Sequence, residues 1–203
     1  MSTKILLFDY GGVLGYDHLL EKEELLAKTV GLTQAELNNR ISEKSVAGRA
    51  FRENKITEVE FWRIVSQNTT IDEYFAHILT NMWMDTYSLN ISMMHYLQQL
   101  RQKVKIGVLT NIDIGRSRLL EKILDVNNNL DYYFPSYFYS FSKDTEQLWM
   151  LVNKELEKDN ISVDVIYVDD RPEHVLSAEK IGWKGIKYFD LEQLKKQLGL
   201  LLE

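Results

Sequence analysis

The chain has 203 residues, carries 24 Lys and Arg against 30 Asp and Glu for a formal charge of −6, and contains no cysteine. Hydrophobic residues at 45 % and charged residues at 27 % lie near globular averages, which excludes disorder and collagen-like structure, while the missing cysteine excludes disulfides, thiolate zinc sites and cysteine nucleophiles. The acidic balance without a basic run argues against nucleic acid as a partner. No apolar stretch approaches the roughly 20 residues of a membrane span, and Ile5 to Phe8 is too short for a secretory signal, so a cytoplasmic protein with no membrane partner is expected.

In chain order, Lys4 to Phe8 is a short apolar run that stops at Asp9-Tyr-Gly-Gly12, the pattern of a buried strand ending in a glycine turn. Residues 16 to 86 then read as helices only. Three capping boxes mark helix starts there: Thr33 with Glu36, Thr57 with Glu60, and Thr70 with Glu73. Strand grammar returns at Val104 to Leu109, ending in Thr110-Asn111, then at Tyr137 to Tyr139, at Val163 to Val168 ending in Asp169-Asp170, and at Gly185 to Phe189. Helical patterns follow at roughly 114 to 124, 145 to 157, 173 to 181 and 191 to 201. Strands alternating with helices imply right-handed crossovers and a parallel sheet. The expected fold class is therefore α/β, a doubly wound parallel sheet over residues 1–15 and 87–203, with a helical insert over 16–86. The only prolines are Pro135 and Pro172, so no Pro-rich linker separates the two parts.

Ligands bind such sheets outside the carboxyl ends of the strands. The residues there are Asp9, Thr110, Asn111, the Ser140 to Lys143 segment, Asp169 and Asp170. Acidic strand ends with a Lys nearby suit a metal ion and a phosphoryl group: hard oxygen ligands for the cation, an ammonium for the anion. Simpler roles exist for several of them. Thr110 can cap the following helix, Asp170 can form a capping box with Glu173, and Gly11-Gly12 can serve a tight turn. Lys143 reads either as a solvated surface lysine or, since it precedes a helix where a cation is disfavoured, as a lysine with an anion close by. Of the four histidines, His77 and His95 read as ordinary helix residues. Trp62 and Trp83 read as core of the insert, with room for one to face a substrate.

The motifs resemble those of the haloacid dehalogenase-like (HAD) superfamily. Phe8-Asp9-Tyr10-Gly11-Gly12-Val13-Leu14 is similar to its first motif, Val108-Leu109-Thr110-Asn111 to its second, Ser142-Lys143-Asp144 stands at its third, and Tyr167-Val168-Asp169-Asp170 is similar to its fourth. The insert enters where the family's cap domain does, in the manner of the branch that includes an alpha-D-glucose-1-phosphate phosphatase and the N-terminal domain of soluble epoxide hydrolase. The resemblance implies a Rossmann-like core with strand order 3-2-1-4-5 and a Mg²⁺-dependent phosphatase. Asp9 would be the nucleophile, with Thr110 and Lys143 assisting. Asp9, the Gly11 carbonyl and Asp170 would hold Mg²⁺ with Asp169 behind them, and Gly11, Gly12 and Asn111 would contact substrate. A small phosphorylated metabolite is the implied partner, because a cap covers the site.

Two departures stand out. Gly11 replaces the aspartate that usually protonates the leaving group, so either Asp17 or His18 substitutes for it, the substrate has a good leaving group, or the chain is a catalytically impaired binding or regulatory protein. Around Lys143 the usual prolines are missing, and Ser140 occupies a customary glycine position. Dehalogenase chemistry fits less well, since those enzymes work without Mg²⁺ and lack the paired aspartates.

Overall fold

The computed structural model describes residues 3–16, 19–158 and 162–202. In its main sheet, strands β1 (Thr3–Phe8), β4 (Lys105–Thr110), β5 (Tyr132–Pro135), β6 (Val163–Asp169) and β7 (Lys184–Lys187) lie parallel in the order β5-β4-β1-β6-β7, which is the 3-2-1-4-5 order. A two-stranded ribbon, β2 (Gly15–Tyr16) with β3 (Ser88–Leu89), pairs antiparallel where the chain leaves and re-enters this layer, an addition to the expected helices. Between β2 and β3 lie α1 (Leu20–Thr29), α2 (Gln34–Ile41), α3 (Val46–Arg52), α4 (Glu58–Ser66) and α5 (Glu73–Met84). The helices of the core are α6 (Ile91–Leu100), α7 (Ile114–Leu124), the short α8 (Val126–Asn129) and α9 (Ser136–Tyr139), α10 (Glu146–Lys158) and α11 (Pro172–Lys180), which join successive strands, and α12 (Leu191–Leu202), which follows β7.

The period of two in β1 divides the core. Leu6 and Phe8 join Val108, Ile166 and Val168 on one face, while Ile5 and Leu7 join Val165, Tyr167 and Trp149 on the other, all buried. Each face is covered by helices, which explains why the strands read as continuous apolar runs. A third cluster, including Phe61, Trp62 and Trp83, fills the insert.

Four readings need correction. The strand placed at Tyr137 to Tyr139 is helix α9; the strand is Tyr132–Pro135, in register with Gly107 to Thr110 of β4. Pro135 has no N–H to donate, so it ends an edge strand and opens a helix. The Thr70 capping box does not form: Asp72 caps α5 by accepting from the Phe75 N–H at 2.8 Å, and Thr70 turns to Asn68. The other two boxes are present. Helix α7 is capped by Asp113 rather than Thr110, and α11 has Arg171 at its N-cap with no side-chain cap bond, so Asp170 makes no capping box.

Candidate active site

Parallel register sets the site. Phe8 pairs with Val168, and the Asp9 N–H donates to the Val168 carbonyl at 2.9 Å, so Asp9 and Asp169 leave adjacent strands side by side. Alternation then puts Asp9 on the face of Ile5 and Leu7, and Asp169 on the face of Tyr167. Two neighbouring carboxylates, 7 % and 0 % exposed, repel in a site poor in water.

Lys143 resolves the conflict. Its Nζ lies 2.9 Å from Asp9 Oδ1, 2.9 Å from Asp169 Oδ2 and 3.1 Å from the Tyr167 hydroxyl, with the residue 1 % exposed. This is the local anion that its place before α10 demanded. Asp169 also accepts from the Tyr167 hydroxyl at 2.5 Å and from the Arg171 N–H at 2.8 Å, and lies 3.1 Å from His174 Nδ1. Burial alone would raise the Asp169 carboxyl, but Lys143, His174 and Tyr167 together hold it well below the ordinary carboxylate range. For Asp9 burial wins over Lys143, and the Asp169 charge adds to it, so its carboxyl is pushed up from 3.8 to about 6. Burial would lower Lys143, yet Asp169 and Asp9 keep it above its usual value.

Asp170, exposed, completes a cluster in which one carboxylate oxygen from each of Asp9, Asp169 and Asp170 lies within 4.8 Å of the others. An all-oxygen set of this charge suits a hard divalent cation. Asp169 is engaged by four donors and acts as the brace behind Asp9 and Asp170. The turn is shaped for the same purpose. Gly12 has φ +71°, and a Cβ there would stand 2.5 Å from Asp170 Oδ2, so only glycine lets Asp170 approach. Gly12→Ala is therefore expected to cost about 1–2 kcal/mol in denaturant unfolding and to weaken divalent-cation binding at least tenfold by calorimetry. Unchanged cation affinity would mean that Asp170 does not need this turn.

The expected substrate contacts divide. Thr110, at the end of β4 and 4 % exposed, and Gly11 line a cavity of about 320 Å³ with Asp9, Lys143 and Asp170. The Gly12 N–H donates to the Gly15 carbonyl at 2.8 Å, and Gly12 is not among the residues lining the cavity. Asn111 lines the cavity but spans two parts of the protein: its Nδ2 donates to Glu43 at 2.9 Å and its Oδ1 accepts from the Lys143 N–H at 2.8 Å. It braces the third-motif loop. Ser140, in the glycine position of that loop, adopts φ +59°, the left-handed conformation a glycine takes freely. Asp17 and His18, the suggested replacements for the acid missing at Gly11, lie outside the described residues.

Sequence reading missed several residues of the site. Glu43, from the loop between α2 and α3, pairs with Arg171, and Arg49 of α3 reaches Asp144 at 3.2 Å, so the insert is tied across the cavity mouth. His174 is 2 % exposed and lines the cavity beside Asp169. Tyr167 was legible, since it lies two residues before Asp169 on one strand face. Nothing in the local sequence marks Glu43, because its partners are far along the chain. Of the two tryptophans, Trp62 is core and donates to the Thr80 hydroxyl at 2.9 Å, whereas Trp83 lines the cavity.

No family model and no curated relative matches the sequence. Solved structures do. A HAD family enzyme from Bacteroides thetaiotaomicron, BT-2542, crystallised with magnesium and inorganic phosphate, aligns over 95 % of this chain and 99 % of its own with a TM-score of 0.74 at 17 % identity. A predicted HAD-like family hydrolase from Porphyromonas gingivalis aligns over 100 % and 99 % with a TM-score of 0.71 at 16 % identity. A 2-haloacid dehalogenase from Pseudomonas syringae aligns over 98 % and 99 % with a TM-score of 0.62 at 13 % identity. Sheet order, the position of the helical insert and these alignments agree: the chain has the fold of the haloacid dehalogenase-like superfamily.

Proposed function

We propose that this protein is a Mg²⁺-dependent phosphatase that acts on a small phosphorylated metabolite through an aspartyl phosphate on Asp9. The observation that carries the reading is the convergence of three carboxylates and one buried ammonium beyond the carboxyl edge of the sheet, with Asp9, Asp170 and Lys143 lining a cavity sized for a small molecule. A dehalogenase has the same fold, but it does not call for a cluster of three acids; a bound cation does. Asp9, Asp170 and the Gly11 carbonyl would hold Mg²⁺, and when bound the ion supplies positive charge that lets the nucleophile and a phosphate dianion approach.

This chain's own residues do the rest. Asp9 attacks phosphorus, forming the aspartyl oxygen–phosphorus bond as the ester oxygen leaves with its electron pair; water then hydrolyses the acyl phosphate and restores Asp9. Lys143 balances Asp9 and the transferring oxygens, and Thr110 donates a hydrogen bond to them. Residues 16–86 act as the cap that excludes water, with Glu43 and Arg49 holding it shut. A second reading, an impaired binding or regulatory protein, is favoured by one observation, the glycine at position 11.

A turnover screen on sugar phosphates, acyl phosphates and p-nitrophenyl phosphate, with and without Mg²⁺, separates these readings. The phosphatase reading expects Mg²⁺-dependent release of phosphate, fastest where the leaving group needs little help from an acid, as with acyl, p-nitrophenyl and anomeric phosphates. Mg²⁺ binding without turnover on any substrate would favour the binding protein. Gly11→Asp is expected to raise kcat on poor leaving groups by about 10- to 100-fold; lower rates would show that the turn cannot host the carboxylate.

A further inference from the structure

We infer that Glu43 and Glu53 of the insert, with Arg49 between them, are positioning residues for Lys143: they hold the backbone that carries it, so that its ammonium stands between Asp9 and Asp169 only while the insert is seated on the core. Its meaning for catalysis rests on the phosphoryl-transfer reading, whereas the placement of Lys143 rests on geometry alone.

The backbone groups of Ser142 and Lys143 find their partners in two places. Their carbonyls are satisfied from the segment that follows. The Ser142 carbonyl accepts from the Thr145 N–H at 2.9 Å and from the Thr145 hydroxyl at 2.7 Å, and the Lys143 carbonyl accepts from the Trp149 indole at 2.8 Å. Their amides are satisfied from elsewhere. The Ser142 N–H donates to Glu53 Oε1 at 3.2 Å, and the Lys143 N–H donates to Asn111 Oδ1 at 2.8 Å, while Asn111 Nδ2 donates in turn to Glu43 Oε2 at 2.9 Å. The next side chain, Asp144, meets Arg49 at 3.2 Å. Three consecutive residues are thus tied to one stretch of the insert around α3. Glu43 also pairs with Arg171, whose N–H donates to Asp169 Oδ1 at 2.8 Å. One carboxylate of the insert is therefore linked to the Lys143 backbone on one side and to Asp169 on the other.

Local sequence does not fix this segment. No proline lies between Pro135 and Pro172 to stiffen it, and Ser140 stands at φ +59°, a conformation that costs a residue with a Cβ and persists only where the surroundings impose it. Glu53 is 3 % exposed, and its oxygens are taken by the Ser142 N–H and by Lys55 Nζ at 2.6 Å. The pair of Arg49 with Asp144 is the more exposed tether and contributes least. What the tethers protect is a distance. A buried ammonium is tolerated where it meets both carboxylates, and a shift of about 1 Å at a reacting centre costs on the order of 10²-fold in rate.

Residue-resolved amide hydrogen exchange on the full chain, without substrate, reads this placement. Glu43→Ala is expected to speed exchange of the Lys143 amide at least tenfold while the Leu7 and Val108 amides of the central strands keep their rates. An unchanged Lys143 amide, or acceleration confined to the helices of the insert, overturns the inference. Glu43→Gln retains an oxygen for Asn111 and should return the Lys143 amide to within about threefold of the parent; acceleration equal to that of Glu43→Ala overturns the link through Asn111 and the inference with it. Should the central strands of Glu43→Ala exchange as fast as the loop, Glu43→Asp, which keeps the charge and shortens the reach by one methylene, decides by the same criterion at Lys143. With p-nitrophenyl phosphate and Mg²⁺, Glu43→Ala is expected to lower kcat about 10- to 100-fold with KM moved less than about threefold. A change in KM alone would make Glu43 a substrate contact and overturn its positioning role. If the parent turns over no phosphate ester, the phosphatase reading fails while the exchange rates still decide how Lys143 is held.

Discussion

Asp9→Asn is expected to abolish turnover while making the cation-free protein more stable. As the nucleophile, Asp9 forms the covalent intermediate, and an amide does not, so kcat should fall by at least about 10⁴-fold. Stability moves the other way because of where the carboxylate sits. A rise from 3.8 to about 6 means that burial penalises the ionised form by about 3 kcal/mol. The folded value lies above the unfolded one, so the Asp9 contribution to stability is fully present below pH 3.8 and is lost as pH rises through about 6. At pH 8 without divalent cation, Asn avoids that penalty and should stabilise the chain by about 1–3 kcal/mol in urea unfolding, with the advantage shrinking below pH 4. Mg²⁺ should then stabilise the parent protein far more than the variant. Equal turnover in Asp9→Asn would refute the nucleophile. A variant no more stable at pH 8 than at pH 4, relative to the parent, would show that the Asp9 charge is not under strain.

Lys143→Met is expected to be the most destabilising single change in the site. The ammonium is 1 % exposed and sits 2.9 Å from each of two carboxylates. Removing it leaves Asp9 and Asp169 adjacent and uncompensated, which costs about 3–5 kcal/mol when a buried pair is broken on one side. Turnover should drop about 10²- to 10³-fold as well, since the charge that offsets the transferring oxygens is gone. Both effects depend on charge rather than volume, so the double variant Lys143→Met, Asp9→Asn should recover a good part of the lost stability. A single-variant cost below about 1 kcal/mol, or no recovery in the double variant, would show that the lysine does not hold these acids together.

The core strands and helices were legible because their signals are local. Buried parallel strands are short apolar runs that end in Asp, Thr or Gly, and Thr33 with Glu36 and Thr57 with Glu60 mark helix starts with side chains three residues apart. The misreadings occurred where local signals competed. Tyr132 to Tyr139 is aromatic at six of its eight positions, on both sides of Pro135-Ser136, and the pairing of β5 with β4 is what ends the strand at Pro135. Thr70 and Asp72 both offer cap oxygens, and the one in line with the Phe75 N–H won.

Within the site, Asp9, Asp169 and Asp170 were visible as residues at strand ends and Lys143 as a lysine before a helix, but their mutual distances were not. Read alone, the chain specifies alternating elements, the glycine turn and the acidic strand ends, because backbone preference and hydrophobic period act over a few residues. Folding alone places Asp9 beside Asp169, inserts Lys143 between them, and brings Glu43, Arg52 and Trp83 of the insert over the cavity. Those pairings join residues tens of positions apart or more, and sheet register and packing, rather than neighbouring side chains, set them.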